Sequence, residues 1–247
     1  MQPLDKNQMR FGSRASWAVL GIALAFPTVL TWAYFVWLAD TPPKVQQAVY
    51  GIGKCLQFAL PVLWVWLVLR TKSRWAWGSG KSTWFGIAFG AAVLAGMFLL
   101  YHVELIPAGQ LQLLGDQART KVQDLGLDSL GKYAATGLFY ALAHSLLEEY
   151  YWRWFVFGQL RRRMGFAPAM AFSSLAFMAH HVVLLGTYFG FDSPFAYVFS
   201  LAVAVGGAVW AWLYESSRSL IGPWLSHMIV DAAIFVVGYD LVKDCLS

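Results

Sequence analysis

Hydrophobic residues along this chain gather in long runs that short polar segments separate. Seven runs are long enough to cross a bilayer, at approximately 16–38, 46–69, 83–101, 134–158, 168–187, 195–214 and 219–241. A membrane-crossing helix needs about 20 apolar residues. The pattern therefore predicts an all-α, polytopic transmembrane helical bundle of about seven membrane helices, and at most eight. It shows no internal repeat or linker, so one integral membrane domain over 1–247 is expected.

Composition supports a membrane protein and argues against nucleic acid as a partner. The 247 residues are 59% hydrophobic and only 13% charged, which lies well outside the range of soluble domains. The net charge of +5 comes from short basic clusters between the apolar runs, and no basic surface or RNA-binding motif accompanies them. Cys55 and Cys245 have neither disulfide-type nor zinc-type spacing. The expected partner is the lipid bilayer, and nothing in the pattern indicates an oligomeric state.

Basic residues at the ends of the runs predict the orientation. Lysines and arginines are concentrated in the N-terminal segment, in the 70–81 loop, at 161–163 and at Arg218. Because short basic loops stay on the cytoplasmic side, the N-terminus is predicted to be cytoplasmic and the C-terminus external. A bacterial inner membrane is the expected location. The mixed charges of the 102–131 segment suggest an amphipathic interfacial helix.

Small residues in the third run predict close helix packing. Gly86, Gly90 and Gly96 give this run a face on which a neighbouring helix can approach the backbone. Lys54, in the second run, lies close enough to a helix end for its ammonium to reach the interface.

The other ionisable residues within the runs fall in three of them. An ionisable side chain at the bilayer centre costs about 3 kcal/mol on insertion scales, so such residues usually face a cavity and mark a functional path. They are His144, Glu148, Glu149 and Arg153 in the fourth run, His180 and His181 in the fifth, and His227 and Asp231 in the seventh. Counted inward from the cytoplasmic ends at 1.5 Å per residue, four of them lie roughly 14–20 Å deep: Glu148, His181, His227 and Asp231. One shared site near mid-bilayer is therefore predicted.

Helical spacing separates the two adjacent glutamates. Glu149 and Arg153 are four residues apart with the glutamate first, which is the favoured order for an ion pair, so this pair is predicted to be structural. Glu148 points about 100° away from Glu149. It has no cation nearby in the sequence, and His144 lies one turn earlier on its side. A carboxylate withdrawn from water in this way is a candidate general base.

The same spacing argument applies to the histidines. His180 and His181 also point about 100° apart, so only one is expected to face the site. His181 is assigned to it, with Phe177 one turn away to hold its ring, and His180 is assigned to packing or to the interface. His227 and Asp231 are four residues apart, so Asp231 can orient the imidazole or donate a proton beside it.

Three chemistries suit a carboxylate and histidines at one depth. A glutamate assisted by histidine can deprotonate water for attack on a peptide carbonyl, with other polar groups stabilising the oxyanion. Glu148, His181 and His227 could instead bind zinc, or the same set could relay protons or ions in a transporter. The HExxH pattern of helical zinc proteases is absent. Spacing alone does not choose among the three.

Three segments together resemble the CAAX-processing and bacteriocin-processing family of intramembrane glutamic endopeptidases, also called CPBP or Abi. The EExxxR motif of that family matches residues 148–153, its FxxxH motif matches 177–181, and its HxxxN or HxxxD motif matches 227–231. The motifs occur in this order within a predicted catalytic core over 130–240. Each motif alone is weak, but three in order inside membrane runs make a specific signal.

The resemblance implies an intramembrane endopeptidase that hydrolyses a peptide bond of a membrane-associated protein or peptide, without a cofactor. By resemblance, Glu148 activates water together with His181, while His227 and Asp231 stabilise the oxyanion. Zinc held by Glu148, His181 and His227 stays the alternative, because the family has also been interpreted as metalloproteases.

The supporting residues also follow from the resemblance. The Glu149–Arg153 pair would brace the site, and His144 and Phe177 are candidates for a supporting layer around it. The sequence departs from the usual family pattern in the bulky residues 150–152 and in the aspartate at the end of the third motif. A prenylated tail, a bacteriocin leader and a sorting anchor are therefore all expected substrate classes.

Overall fold

The computed structural model describes residues 14–70, 80–107 and 111–246. Within these residues the chain forms eight helices and no strand. They are α1 (Arg14–Trp37), α2 (Pro43–Leu69), α3 (Gly80–Leu105), α4 (Leu111–Asp124), α5 (130–161), α6 (Phe166–Phe189), α7 (Pro194–Ser217) and α8 (Ile221–Cys245). The predicted all-α bundle is confirmed.

Six of these helices are long and apolar enough to cross a membrane: α1, α2, α3, α6, α7 and α8. The chain is therefore an integral membrane protein with six candidate spans. The fourth predicted run is helical as expected, but α5, which carries the charged residues at its centre, is not among the six. The helix predicted within 102–131 is present as α4.

Helix α5 forms the centre of the core and contains two π-helical segments. It is α-helical over Ser145–Glu149 and π-helical over Tyr140–His144 and Tyr150–Phe157. A π-helical turn bonds residue i to i+5, and such wide turns are frequent at functional sites. The second wide turn is buried against α1, α6 and α7 through large side chains: Tyr151, Trp152, Phe155 and Phe157. This packing fixes the α-helical turn that carries both glutamates.

Helix α3 packs closely on α8 through two of the three predicted glycines. A Cβ at Gly86 would collide with the backbone of Gly222, and one at Gly90 would lie 2.9 Å from the carbonyl oxygen of Ser226. At Gly96 a Cβ would have no atom within 4 Å, so the prediction that Gly96 packs closely against a neighbouring helix is wrong. The contact at Gly90 sets the position of the α8 segment that begins the third motif.

Basic side chains mark one end of the bundle. Arg161 at the end of α5 and Arg218 just after α7 lie 2.9 and 3.1 Å from the same carboxylate oxygen of Glu215. The guanidinium of Arg163 lies 5.3 Å from the Trp17 ring at the start of α1. The start of α1 and the ends of α5 and α7 therefore share this end. The other predicted basic segments, at 1–13 and 71–79, lie outside the described residues.

Candidate active site

Four nitrogen atoms surround the carboxylate of Glu148. One comes from α5, the helix of Glu148 itself, and the other three come from α2, α6 and α8. Lys54 Nζ on α2, His144 Nε2 on α5 and His180 Nε2 on α6 each lie 3.8 Å from Glu148 Oε1, and His227 Nε2 on α8 lies 3.8 Å from Oε2. The Glu148 side chain is 5% exposed. A separation of 3.8 Å is too long for a direct hydrogen bond.

Lys54 corrects one prediction. It was expected to extend towards the membrane interface, but its ammonium lies inside the bundle, 3.8 Å from Glu148 and 5.5 Å from the centre of each ring of Tyr50 and Phe58. The expectation that it snorkels is therefore wrong. The signal in the sequence was the same as for the other site residues, namely a charge in an apolar run. His144, predicted as a supporting residue, does lie beside Glu148.

Glu149 joins two helices through a closed set of contacts. Its Oε2 lies 3.0 Å from Arg153 Nε, and both side chains are fully buried. Its Oε1 lies 2.9 Å from His227 Nδ1 on α8. The predicted Glu149–Arg153 pair is confirmed, and the structure adds His227 as a third member. Glu149, Arg153 and His227 are called the closed network below.

The contacts of His227 refine the role expected for Asp231. Because a carboxylate accepts hydrogen bonds, Nδ1 of His227 donates to Glu149, which orients the ring. Nε2 then faces Asp231 Oδ1 at 3.5 Å and Glu148 Oε2 at 3.8 Å. The structure thus brings Asp231 to His227 as predicted, but the shorter, orienting bond comes from Glu149. Sequence reasoning missed it because the two residues lie on different helices.

Trp210 on α7 also holds His227 and was not predicted. The two rings stack with centroids 4.2 Å apart and an interplanar angle of 14°. Trp210 Nε1 donates a hydrogen bond of 2.9 Å to Ser226 Oγ, on the residue before His227. Its ring also lies 5.3 Å from the guanidinium carbon of Arg153. A single tryptophan in an apolar run carries no spacing signal that would have identified it.

His181 lies next to the ring of His180 on α6, and one of its nitrogens is fixed. Its Nδ1 is bonded to the carbonyl oxygen of Phe177 at 3.0 Å, and the two rings are 4.8 Å apart, so Phe177 holds this ring as predicted. Since a carbonyl only accepts, Nδ1 carries the proton and Nε2 is free to accept one. His181 interacts electrostatically with Glu148, His227 and Asp231.

His180 packs as predicted and also contacts the site, which was not predicted. Its ring lies nearly parallel to Trp152, with centroids 5.8 Å apart, while Nε2 lies 3.8 Å from Glu148. The expectation that His180 faces away from the site is therefore wrong, since within the described residues it is the histidine of this pair that contacts Glu148.

Exposure divides the site into two sides. The side chains of Lys54, His144 and Asp231 retain 13%, 17% and 16% exposure, whereas Glu149 and Arg153 retain none. We call Lys54, His144 and Asp231 the open side. A substrate group that reaches Glu148 meets the open side first, and the closed network lies behind it.

Within residues 14–70, 80–107 and 111–246, no three His, Cys, Asp or Glu side chains are placed as ligands of one metal ion. The cluster combines three carboxylates, Glu148, Glu149 and Asp231, with the cations Lys54 and Arg153. Protonation of His227 would make it neutral overall, since both ring nitrogens of that residue face carboxylates. The arrangement can hold a water beside a carboxylate base and place positive charge around it.

Comparison with protein families gives one match. Residues 130–233 match the family described as Rce1-like, type II CAAX prenyl endopeptidase Rce1-like. The matched segment contains all three motifs and the helices that carry them, but not Lys54. No curated protein and no solved structure matches the chain.

Proposed function

We propose that this chain is an intramembrane endopeptidase, because residues 130–233 match the Rce1-like family of type II CAAX prenyl endopeptidases, which are proteases. We propose that it hydrolyses a peptide bond with a water activated by Glu148. The observation that carries the proposal is the ring of four nitrogen atoms 3.8 Å from the Glu148 carboxylate, in the core of an apolar bundle.

In the proposed reaction Glu148 takes a proton from water while the water oxygen attacks the peptide carbonyl carbon. The carbonyl π electrons move to oxygen and form an oxyanion. When the tetrahedral intermediate collapses, the carbon–nitrogen bond breaks and the leaving amine takes the proton from Glu148. The products are a carboxylic acid and an amine, and Glu148 is again ionised. His181, whose Nε2 is free to accept a hydrogen bond, orients the water.

The oxyanion is stabilised in this proposal by His227, assisted by Asp231. The closed network supports the assignment, because Glu149 fixes the ring of His227 and Arg153 compensates the charge of Glu149. Preorganised donors of this kind typically contribute 10²–10³-fold to turnover.

For substrate and location, the proposal follows the family and the charge pattern. The substrate is a membrane-associated protein or peptide, and a prenylated CAAX tail is the class that the family's name supplies. The basic end formed by Arg161, Arg163 and Arg218 supports a cytoplasmic N-terminus in a bacterial inner membrane.

The test compares wild type with Glu148→Gln, which keeps the shape of the side chain and removes the base. Purified full-length protein in detergent is assayed by mass spectrometry with a farnesylated CAAX peptide, and peptide termini are compared in membranes that contain either form. We expect loss of at least about 10³-fold in turnover with unchanged thermal unfolding. Glu104→Gln, at an exposed position of α3, is the matched control and should behave as wild type. Turnover by Glu148→Gln would overturn the proposal.

Two further measurements separate the alternatives. Full activity of purified protein without stoichiometric metal after chelation excludes the zinc peptidase built from Glu148, His181 and His227. A proton or ion flux that Glu148→Gln abolishes, with no peptide product from wild type, would instead identify a transporter.

A further inference from the structure

Lys54 brings an ammonium group to Glu148 from outside the matched segment. It lies on α2, whereas the matched residues begin at 130. Glu148 is the only carboxylate within 4.0 Å of its ammonium among the described residues. Retaining a cation in an apolar helix is costly, and such residues usually serve a function in the membrane.

The geometry of this pair differs from that of a structural ion pair. Arg153 and Glu149 lie 3.0 Å apart and are fully buried, as is typical of an ion pair in which each charge neutralises the other. Lys54 and Glu148 stop at 3.8 Å, and Lys54 keeps 13% exposure on the open side. The ammonium therefore retains donors that can be directed at a third group.

We propose that Lys54 is a catalytic residue, whose ammonium donates a hydrogen bond to the oxyanion formed when water attacks the substrate carbonyl. The inference rests on the proposed function. On the open side, a neutral imidazole of His144 has one N–H donor and the carboxylate of Asp231 has none, whereas the ammonium of Lys54 has three N–H donors and a positive charge. Lys54 therefore lies on the exposed side of Glu148, where a substrate carbonyl can approach.

The position of the ammonium also suits the direction in which charge develops. The proton leaves the water towards Glu148, and negative charge appears on the carbonyl oxygen, on the other side of the attacking atom. Lys54 Nζ lies 3.8 Å from Glu148 Oε1, so it can compensate that charge without a direct hydrogen bond to the base. His227 on the Oε2 side and Lys54 on the Oε1 side then act on the same intermediate.

The test is steady-state kinetics of Lys54→Met in the full-length protein, with the farnesylated CAAX peptide as probe. We expect kcat to fall by about 10²–10³-fold and KM to change by less than about threefold, because the bond forms in the transition state. Methylammonium should restore part of kcat in Lys54→Ala and have no effect on wild type. Lys44→Met removes an exposed lysine from the start of the same helix and should leave kcat unchanged.

Each other outcome has a defined meaning. The inference is wrong if the kcat of Lys54→Met stays within about threefold of wild type, whether or not its KM rises. If Lys54→Met does not fold, Lys54→Gln is measured with the same criteria. Peptide cleavage by Glu148→Gln would overturn the proposed function as well as this inference. An inactive Glu148→Gln beside a fully active Lys54→Met would overturn this inference alone.

Discussion

The closed network and the surroundings of Glu148 contain similar groups in opposite arrangements. In the closed network, Glu149 is held by Arg153 and His227 at 2.9–3.0 Å and is fully buried. Glu148, the preceding residue, has four nitrogen neighbours, and each of them lies 3.8 Å from one of its carboxylate oxygens. In the proposed function, contact distance rather than the number of charges therefore separates the structural carboxylate, Glu149, from the reactive one, Glu148.

Arg153→Met breaks the closed network and should have the largest effect on stability. It leaves Glu149 buried beside His227 without its cation, which typically costs 3–5 kcal/mol. The measurement is thermal or denaturant unfolding of the purified protein in detergent. The double variant Arg153→Met with Glu149→Gln removes the uncompensated charge and should recover part of the loss. An unfolding midpoint equal to that of wild type would show that the pair contributes nothing.

His181→Phe tests the surroundings of Glu148, where His181 is proposed to orient the water. It should lower turnover more than stability. A phenylalanine fills the volume of the ring but cannot orient water, so kcat should fall by about 10²-fold with little change in unfolding. His180→Phe, which preserves stacking on Trp152, is the matched variant and should cost about tenfold or less. A larger loss in His180→Phe would reassign the water-orienting role to His180.

Trp210→Phe should have the smallest effect of the three. It keeps an aromatic ring over His227 and removes the hydrogen bond to Ser226, a contribution of about 1 kcal/mol. We expect a slightly lower unfolding temperature and a kcat reduced less than tenfold. Trp84→Phe, at an exposed position on α3, provides the control. A drop in kcat comparable with that of His181→Phe would show that Trp210 does more than hold His227.

The local features of this site could be predicted from the sequence, and those between helices could not. The Glu149–Arg153 pair follows from a four-residue spacing on one helix, and the bond of His181 to the Phe177 carbonyl stays within one turn. Periodicity also predicted the helices, since the apolar runs determine where they lie. These signals depend only on neighbours within a turn or two.

Contacts between helices depend on rotation and depth, which one helix's own sequence does not specify. Lys54 and Trp210 reach the site from α2 and α7, and neither belongs to a spacing pattern. The bond between Glu149 and His227 likewise requires α5 and α8 to be in register, which the packing of Gly90 on Ser226 helps to set. Such positions are fixed by packing across the bundle.

The place of Lys54 in the chain has a consequence for engineering. A fragment limited to residues 130–233 would include every motif, yet its central carboxylate would lack the ammonium that α2 supplies. In the proposed reaction, the matched segment therefore lacks one of the groups that stabilise the oxyanion. Transplanting the chemistry into another membrane scaffold requires a donor helix on the α2 side, with a lysine at the depth of Glu148.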